Sequence, residues 1–224
     1  MMHLNNYQFL KKKENLVLFL LVFLSVLIRI PIILIYGDTN LENEWAALVN
    51  NLILHGTLSY KSFEDFLLPN LFMPPLYAYY LYAFSFLNLA EQNYISLILL
   101  SQALLASISI VVFYKINKIF FSEKISFYSS LLYSLFPLHL YACSQISSIS
   151  LQIFLTVLFF YLFFQFIDKK NFKFIFFVSL VGGLLILLRQ EFVAVLVFSL
   201  FYAFIFYKIP IKKILLIFLI SLIT

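Results

Sequence analysis

Residues 73–89, Met73-Pro74-Pro75-Leu76-Tyr77-Ala78-Tyr79-Tyr80-Leu81-Tyr82-Ala83-Phe84-Ser85-Phe86-Leu87-Asn88-Leu89, decide the fold of this chain. The run is apolar and almost long enough to cross a bilayer, which takes about 20 residues. It also opens on two prolines and carries four tyrosines, Tyr77, Tyr79, Tyr80 and Tyr82. Tyrosine gathers at the headgroup level, where one end of its ring is apolar and the other wet. If this run spans, every later loop lies on one side of the membrane. If it lies on the surface, they lie on the other.

That lipid is the solvent follows from composition. Hydrophobic residues make up 64% of the 224, charged residues 11%, and mean hydropathy is +1.02. A soluble domain of this size has no way to hide so much apolar surface. The apolar runs are continuous rather than alternating, which points to helices and not to a membrane barrel. The runs are Asn15–Tyr36, Tyr94–Tyr114, Ile125–Ala142, Ile149–Phe166, Phe172–Leu188, Phe192–Tyr207 and Ile211–Thr224. The first is too long for a signal-peptide core and lacks a small-residue cleavage site, so it reads as a retained span. The net charge of +5 is not a nucleic-acid signal, because the lysines fall between hydrophobic runs as loop charges do. Cys143 is the single cysteine and allows no intrachain disulfide.

Lysine placement settles residues 73–89. With that run on the surface, twelve of the thirteen lysines lie on the cytoplasmic side and only Lys61 lies outside. With the run spanning, the nine lysines after position 100 move outside. The positive-inside rule favours the first arrangement. The expected fold is therefore all-α: a polytopic transmembrane helical bundle of about seven spans, with two amphipathic interfacial helices in a first outer loop at 37–93. Residues 1–224 read as a single transmembrane domain. The chain stops within an apolar run, so a fragment of a longer chain is expected.

The outer loop opens with Gly37-Asp38-Thr39-Asn40-Leu41-Glu42-Asn43-Glu44-Trp45. Three of the chain's ten acids fall within these seven positions, 38–44. Leu41, Trp45, Leu48, Val49 and Leu52 recur at helical spacing, so Leu41–His55 reads as a surface helix that Gly56 ends. Two readings of the acids stand side by side. Thr39-Asn40-Leu41-Glu42 matches a capping box, and acids favour a helix's first turn. That explains Glu42 well, Glu44 poorly and Asp38 not at all, which leaves room for chemistry or ion binding. Glu64 and Asp65 read as a solvated loop face.

Arginine is used only twice, at the outer ends of two spans. Its planar fork grips phosphate at two points and stays charged in apolar surroundings. Arg29 reads either as snorkelling to the headgroups or as such a group. Arg189-Gln190-Glu191 interrupts an apolar run, so it is either a functional pair or a plain turn with a local ion pair. His139 and His55 have no second histidine nearby and make no zinc motif.

The order of these features resembles the GT-C superfamily of membrane glycosyltransferases, in the protein mannosyltransferase-like and aminoarabinose-transferase-like branch. The carriers are Asp38 and Glu42-Asn43-Glu44-Trp45-Ala46-Ala47-Leu48, then Met73-Pro74-Pro75-Leu76-Tyr77, and Leu187-Leu188-Arg189-Gln190-Glu191. The resemblance implies transfer of a sugar from a polyprenyl-phosphate donor to a glycan, lipid or protein acceptor on the outer face. It implies a catalytic carboxylate, with Glu42 in first place and Glu44 and Asp38 after it, although the family usually shows Asp in this motif. It implies that Arg189, Glu191, Arg29 and Tyr77 bind substrate or phosphate. Mg²⁺ or Mn²⁺ suits hard carboxylates, here Asp38 and Glu42, but no cofactor is required by the sequence. The implied location is a bacterial inner (plasma) membrane, N-terminus cytoplasmic and active site outward, with lipid but no nucleic acid as partner. The competing readings are a transporter or lipid flippase subunit, and an inactive truncated remnant. Transporters carry polar groups at mid-membrane and paired broken spans, whereas here the charges gather at the ends of runs.

The topology predicts opposite sides for Lys61 and Lys118. A Lys61→Cys variant reacts with a membrane-impermeant maleimide on intact cells, and Lys118→Cys reacts only after permeabilisation. Labelling of both from one side would return residues 73–89 to the bilayer.

Overall fold

The chain folds as antiparallel helices that run back and forth between a lysine-rich end and an acidic end. A computed structural model describes residues 2–41, 43–59, 61–63, 66–69, 73–87 and 90–223. Helix α1 (Met2–Tyr36) leads to α2 (Asn43–His55), then to a two-stranded antiparallel hairpin, β1 (Lys61–Phe63) and β2 (Phe66–Leu68). Helices α3 (Pro75–Ser85), α4 (Glu91–Phe120), α5 (Glu123–Ser134), α6 (Pro137–Ala142) and α7 (Ile149–Lys169) follow. Helices α8 (Phe172–Leu188), α9 (Phe192–Tyr207) and α10 (Ile211–Ile223) complete the bundle. The hairpin is an addition to the all-helical expectation, and Glu64 and Asp65 lie outside the described residues.

Three helical stretches are long and apolar enough to cross a membrane: Glu14–Tyr36, Glu91–Phe120 and Ile149–Lys169. Helices α8 and α9 are apolar but shorter, at 17 and 16 residues. The run Ile125–Ala142, expected as one span, is broken into α5 and α6. Phe136 is extended (φ −63°, ψ 118°) and Pro137 is the first residue of α6. Proline disfavours a helical residue before it, and its own fixed φ suits a helix start. The Leu135 and Phe136 N–H groups turn back onto the carbonyls of the last α5 turn, so the break leaves those acceptors paired.

Helix α3 has 11 residues, about half of what a span needs. It buries Tyr77, Ala78 and Leu81 against α4 and α8. Pro74 (φ −59°, ψ 123°) and Pro75 at the first turn start it where they do least harm. The chain therefore returns to the end it left. Gly37 follows α1, and a methyl group built on it would lie 2.3 Å from the Ile33 carbonyl oxygen and 3.1 Å from Leu99 of α4. The Ile33 backbone carbonyl, one turn back in α1, is what reserves this position for glycine; the Leu99 methyl could give way. The described residues between Gly37 and Ala90 thus gather toward one end of the helices. At α2's end Gly56 takes φ +66°, the left-handed position expected for it.

At the opposite end Lys118 of α4 pairs with Glu14 of α1 at 2.8 Å. Lys213, in the first turn of α10, donates to the Lys170 carbonyl at 2.7 Å. The lysine-bearing turns are thereby gathered together. Lys170 and Lys208 close α7 and α9 in left-handed conformations, and Asn171 caps α8 through the Phe174 N–H at 3.2 Å. Between the ends, Phe159, Val178, Leu185, Leu196, Leu200 and Ile217 form the apolar core. Gly182 lets α8 approach its neighbours, because a methyl there would meet Ser221 at 3.2 Å and Leu196 at 3.4 Å.

One polar chain crosses the acidic end. The Tyr77 hydroxyl donates to Gln102 Oε1 at 3.0 Å, and Gln102 Nε2 donates to the Gln145 carbonyl at 2.9 Å. Gln145 Nε2 then donates to the Tyr36 carbonyl at 2.9 Å. Four elements are joined: α3, α4, the α6–α7 turn and the end of α1. Gln102 and Tyr77 are both fully buried. Gln102→Leu would strand the Tyr77 hydroxyl and the Gln145 carbonyl, at a cost of about 1–3 kcal/mol. A lowered thermal midpoint in detergent is expected. Adding Tyr77→Phe removes one stranded group, and the double variant should lose less than the sum of the two single ones.

Candidate active site

Two clefts at the acidic end bring the candidate residues together. The first, about 620 Å³, is lined by Trp45 of α2, by Met73, Pro74 and Pro75 at the head of α3, by Ser148, and by Ile186, Leu187, Arg189, Gln190 and Glu191. The second, about 460 Å³, is lined by Gly37, Asp38, Thr39, Asn40, Glu44, Trp45, Gln145 and Ile146. The surface-helix prolines and the Arg189-Gln190-Glu191 turn, 114 positions apart at Pro75 and Arg189, thus share one wall.

Asp38 is held by the α6–α7 turn. Its N–H donates to the Ser144 carbonyl at 3.0 Å, and its Oδ2 accepts from the Ile146 N–H at 2.6 Å. The chain folds this way locally because Gly37 ends α1 and Gln145 ties the turn to Tyr36. The carboxylate is half-buried, and Glu44, in the first turn of α2, is exposed at the same cleft. Asp38 and Glu44 are thus brought together. Glu42 lies outside the described residues, so the capping box it belongs to does as well. Among the described residues no three His, Cys, Asp or Glu converge on a metal position. The hard oxygens that a divalent cation takes are supplied in this cleft by Asp38 and Glu44.

Arg189 follows the last residue of α8 in extended backbone, its N–H bonded to the Leu185 carbonyl at 2.8 Å. Glu191 starts α9. Both are exposed and both line the first cleft. The Lys118–Glu14 pair is the salt bridge among the described residues, so Arg189 and Glu191 do not neutralise each other.

Two residues behave differently from expectation. Tyr77 presents its ring to Trp45 and its hydroxyl to Gln102, away from the clefts. Burial, with Tyr80 and Asp38 adding to it, pushes the Tyr77 phenol far above its usual range, so it remains a donor. Arg29 does not snorkel. It is 1% exposed, and its Nη1 donates to the Ser25 carbonyl at 3.1 Å and to the Ser25 hydroxyl. Ser25 in turn bonds Ser107 of α4 at 2.8 Å. Arg29 lines neither cleft and instead joins α1 to the bundle. Gln102 and the junction role of Trp45 were not singled out from the sequence. The signal for Gln102 was present: an amide in the middle of an otherwise apolar span.

A family model described as dolichyl-phosphate-mannose-protein mannosyltransferase matches residues 73–224. The match takes in the head of α3, Ser148 and the Arg189–Glu191 turn, and begins after the acidic stretch at 38–45. No curated protein and no solved structure matches the chain. With more than half of the chain matched and apolar helices long enough to cross a bilayer, the protein belongs to the dolichyl-phosphate-mannose-protein mannosyltransferase family and is a membrane glycosyltransferase of the GT-C type.

Proposed function

We propose that this protein transfers one sugar from a polyprenyl-phosphate carrier to an acceptor hydroxyl at the outer face of a bacterial plasma membrane. The observation that carries this reading is the pair of clefts at one end of the bundle, one acidic and one holding an unpaired arginine. The family description, with its dolichyl phosphate-linked mannose, supports a lipid-linked donor and a glycosylation acceptor. The lysine count supports an outward site and an inward N-terminus. Residues 1–224 act together as one transmembrane domain, with 37–93 as its outer loop.

The step is a substitution at the anomeric carbon. The acceptor oxygen forms a bond to that carbon while the bond from the carbon to the phosphate oxygen breaks. The electron pair leaves with the polyprenyl phosphate, and the acceptor's proton passes to a carboxylate. Asp38 is the base best held for this, since the Ile146 N–H fixes one oxygen; Glu44 shares its cleft, and Glu42 stands between them in sequence. Arg189 faces the departing phosphate, where charge develops and a preorganised cation stabilises it most. Glu191 orients the same headgroup from across the turn. Tyr77 and Arg29 act as positioning residues, the first through Trp45 and the second by fixing α1. A Mg²⁺ or Mn²⁺ ion would be held by Asp38 with Glu42 or Glu44, and would supply charge stabilisation for phosphate oxygens.

Membranes containing the full-length protein should move radiolabelled sugar from a polyprenyl-phosphate donor to an endogenous acceptor. Asp38→Asn keeps an oxygen for the Ile146 N–H but removes the base, and should lower the rate about 10²–10³-fold. Arg189→Ala should cost a similar factor. Glu42→Gln and Glu44→Gln, measured beside them, identify which acid carries the proton. Full activity in all three acid variants would end the carboxylate assignment.

A further inference from the structure

We propose that Trp45 is the platform for the donor's sugar ring, placed between a phosphate cleft and an acceptor cleft. The inference rests on the glycosyltransferase reading above and assigns its substrate a position. Among the described residues Trp45 alone lines both clefts, and it is the single tryptophan of the 224 residues. On one side stand Arg189 and the apolar Ile186 and Leu187; on the other stand Asp38, Glu44 and Gln145.

A polyprenyl-phosphate sugar has the same order of chemistry: an apolar tail, an anionic phosphate, and a sugar that is polar at its rim and apolar on its C–H face. The bond to be broken joins phosphate to sugar. It must therefore lie between the arginine that receives the phosphate and the carboxylate that receives the proton. Trp45 occupies that interval. An indole offers a broad apolar face for the sugar's C–H groups and an N–H for one of its oxygens. Its contact with Tyr77 is edge-on, with ring centroids 4.8 Å apart and planes at 76°, so Tyr77 covers at most one indole face. Tyr77 is itself immobilised by Gln102 below and by stacking on Tyr80 at 5.6 Å. The platform is therefore rigid before substrate arrives, which lowers the entropy lost on binding.

Trp45 is the single tryptophan of the 224 residues, and the difference in emission between the protein and its Trp45→Phe variant in the same nanodiscs reports this position alone. The purified full-length protein in nanodiscs is titrated with bare polyprenyl monophosphate and with the same lipid carrying single sugars from a panel of hexoses and pentoses. Binding of each radiolabelled lipid is measured in parallel. At least one sugar-loaded lipid should quench or shift Trp45 emission well beyond the bare lipid. Trp45→Ala should weaken that lipid about tenfold while leaving the bare lipid within twofold, and Trp45→Phe should restore most of the loss. Equal loss for loaded and bare lipids, or identical emission changes, would overturn the platform and leave the transferase reading standing. Failure of every lipid, bare or loaded, to bind the wild-type protein would overturn that reading itself, and the platform with it.

Discussion

A buried amide sets the geometry of the acidic end. Gln102 sits fully buried midway along the first half of α4, where an unpaired polar group would cost more than most of the surrounding apolar contacts return. Its oxygen must find a donor and its nitrogen an acceptor. Tyr77 supplies the first and the Gln145 carbonyl the second. Satisfying one side chain thus fixes where α3 lies on the bundle and where the α6–α7 turn comes to rest. Asp38 takes its two backbone contacts from that turn, and Trp45 takes its ring contact from Tyr77. Both clefts inherit their walls from the same amide.

Much of the helical architecture was legible, because long continuous apolar runs in lipid must pair their backbone groups within helices. The lysines predicted a surface position for residues 73–89, and the helix found there, α3, is 11 residues long. The limits of the sequence reading are equally physical. Hydropathy alone made one span of Ile125–Ala142. Pro137, working through the backbone of Phe136, divides it, and a sliding count of apolar residues cannot register a change of ψ. The hairpin at 61–68 is too short to leave a periodic pattern.

The site divides along the same line. The residue types at the acidic end were visible: the acids at 38–44, the two prolines and Arg189. Their partition into separate clefts was not, because it depends on where an exposed helix and two distant turns converge. Arg29 shows a different limit. An arginine near the end of a span reads equally well as reaching outward or inward, and the choice was made by a serine one turn back and another on a different helix. Composition cannot express such a three-body preference.

The contact between Asp38 and Ile146 also has a meaning in time. It joins positions 108 residues apart, across the membrane-length α4 and the shorter α5 and α6, all of which must first be synthesised. Helix α1 therefore enters the bilayer with its acidic end unclosed, and it stays so until the α6–α7 turn has left the ribosome. Gln102 waits 43 residues for its acceptor in that same turn. Arg189 arrives later still. The nascent chain holds Asp38 and Glu44 long before it holds Arg189, so the acidic end is among the last parts of these 224 residues to close.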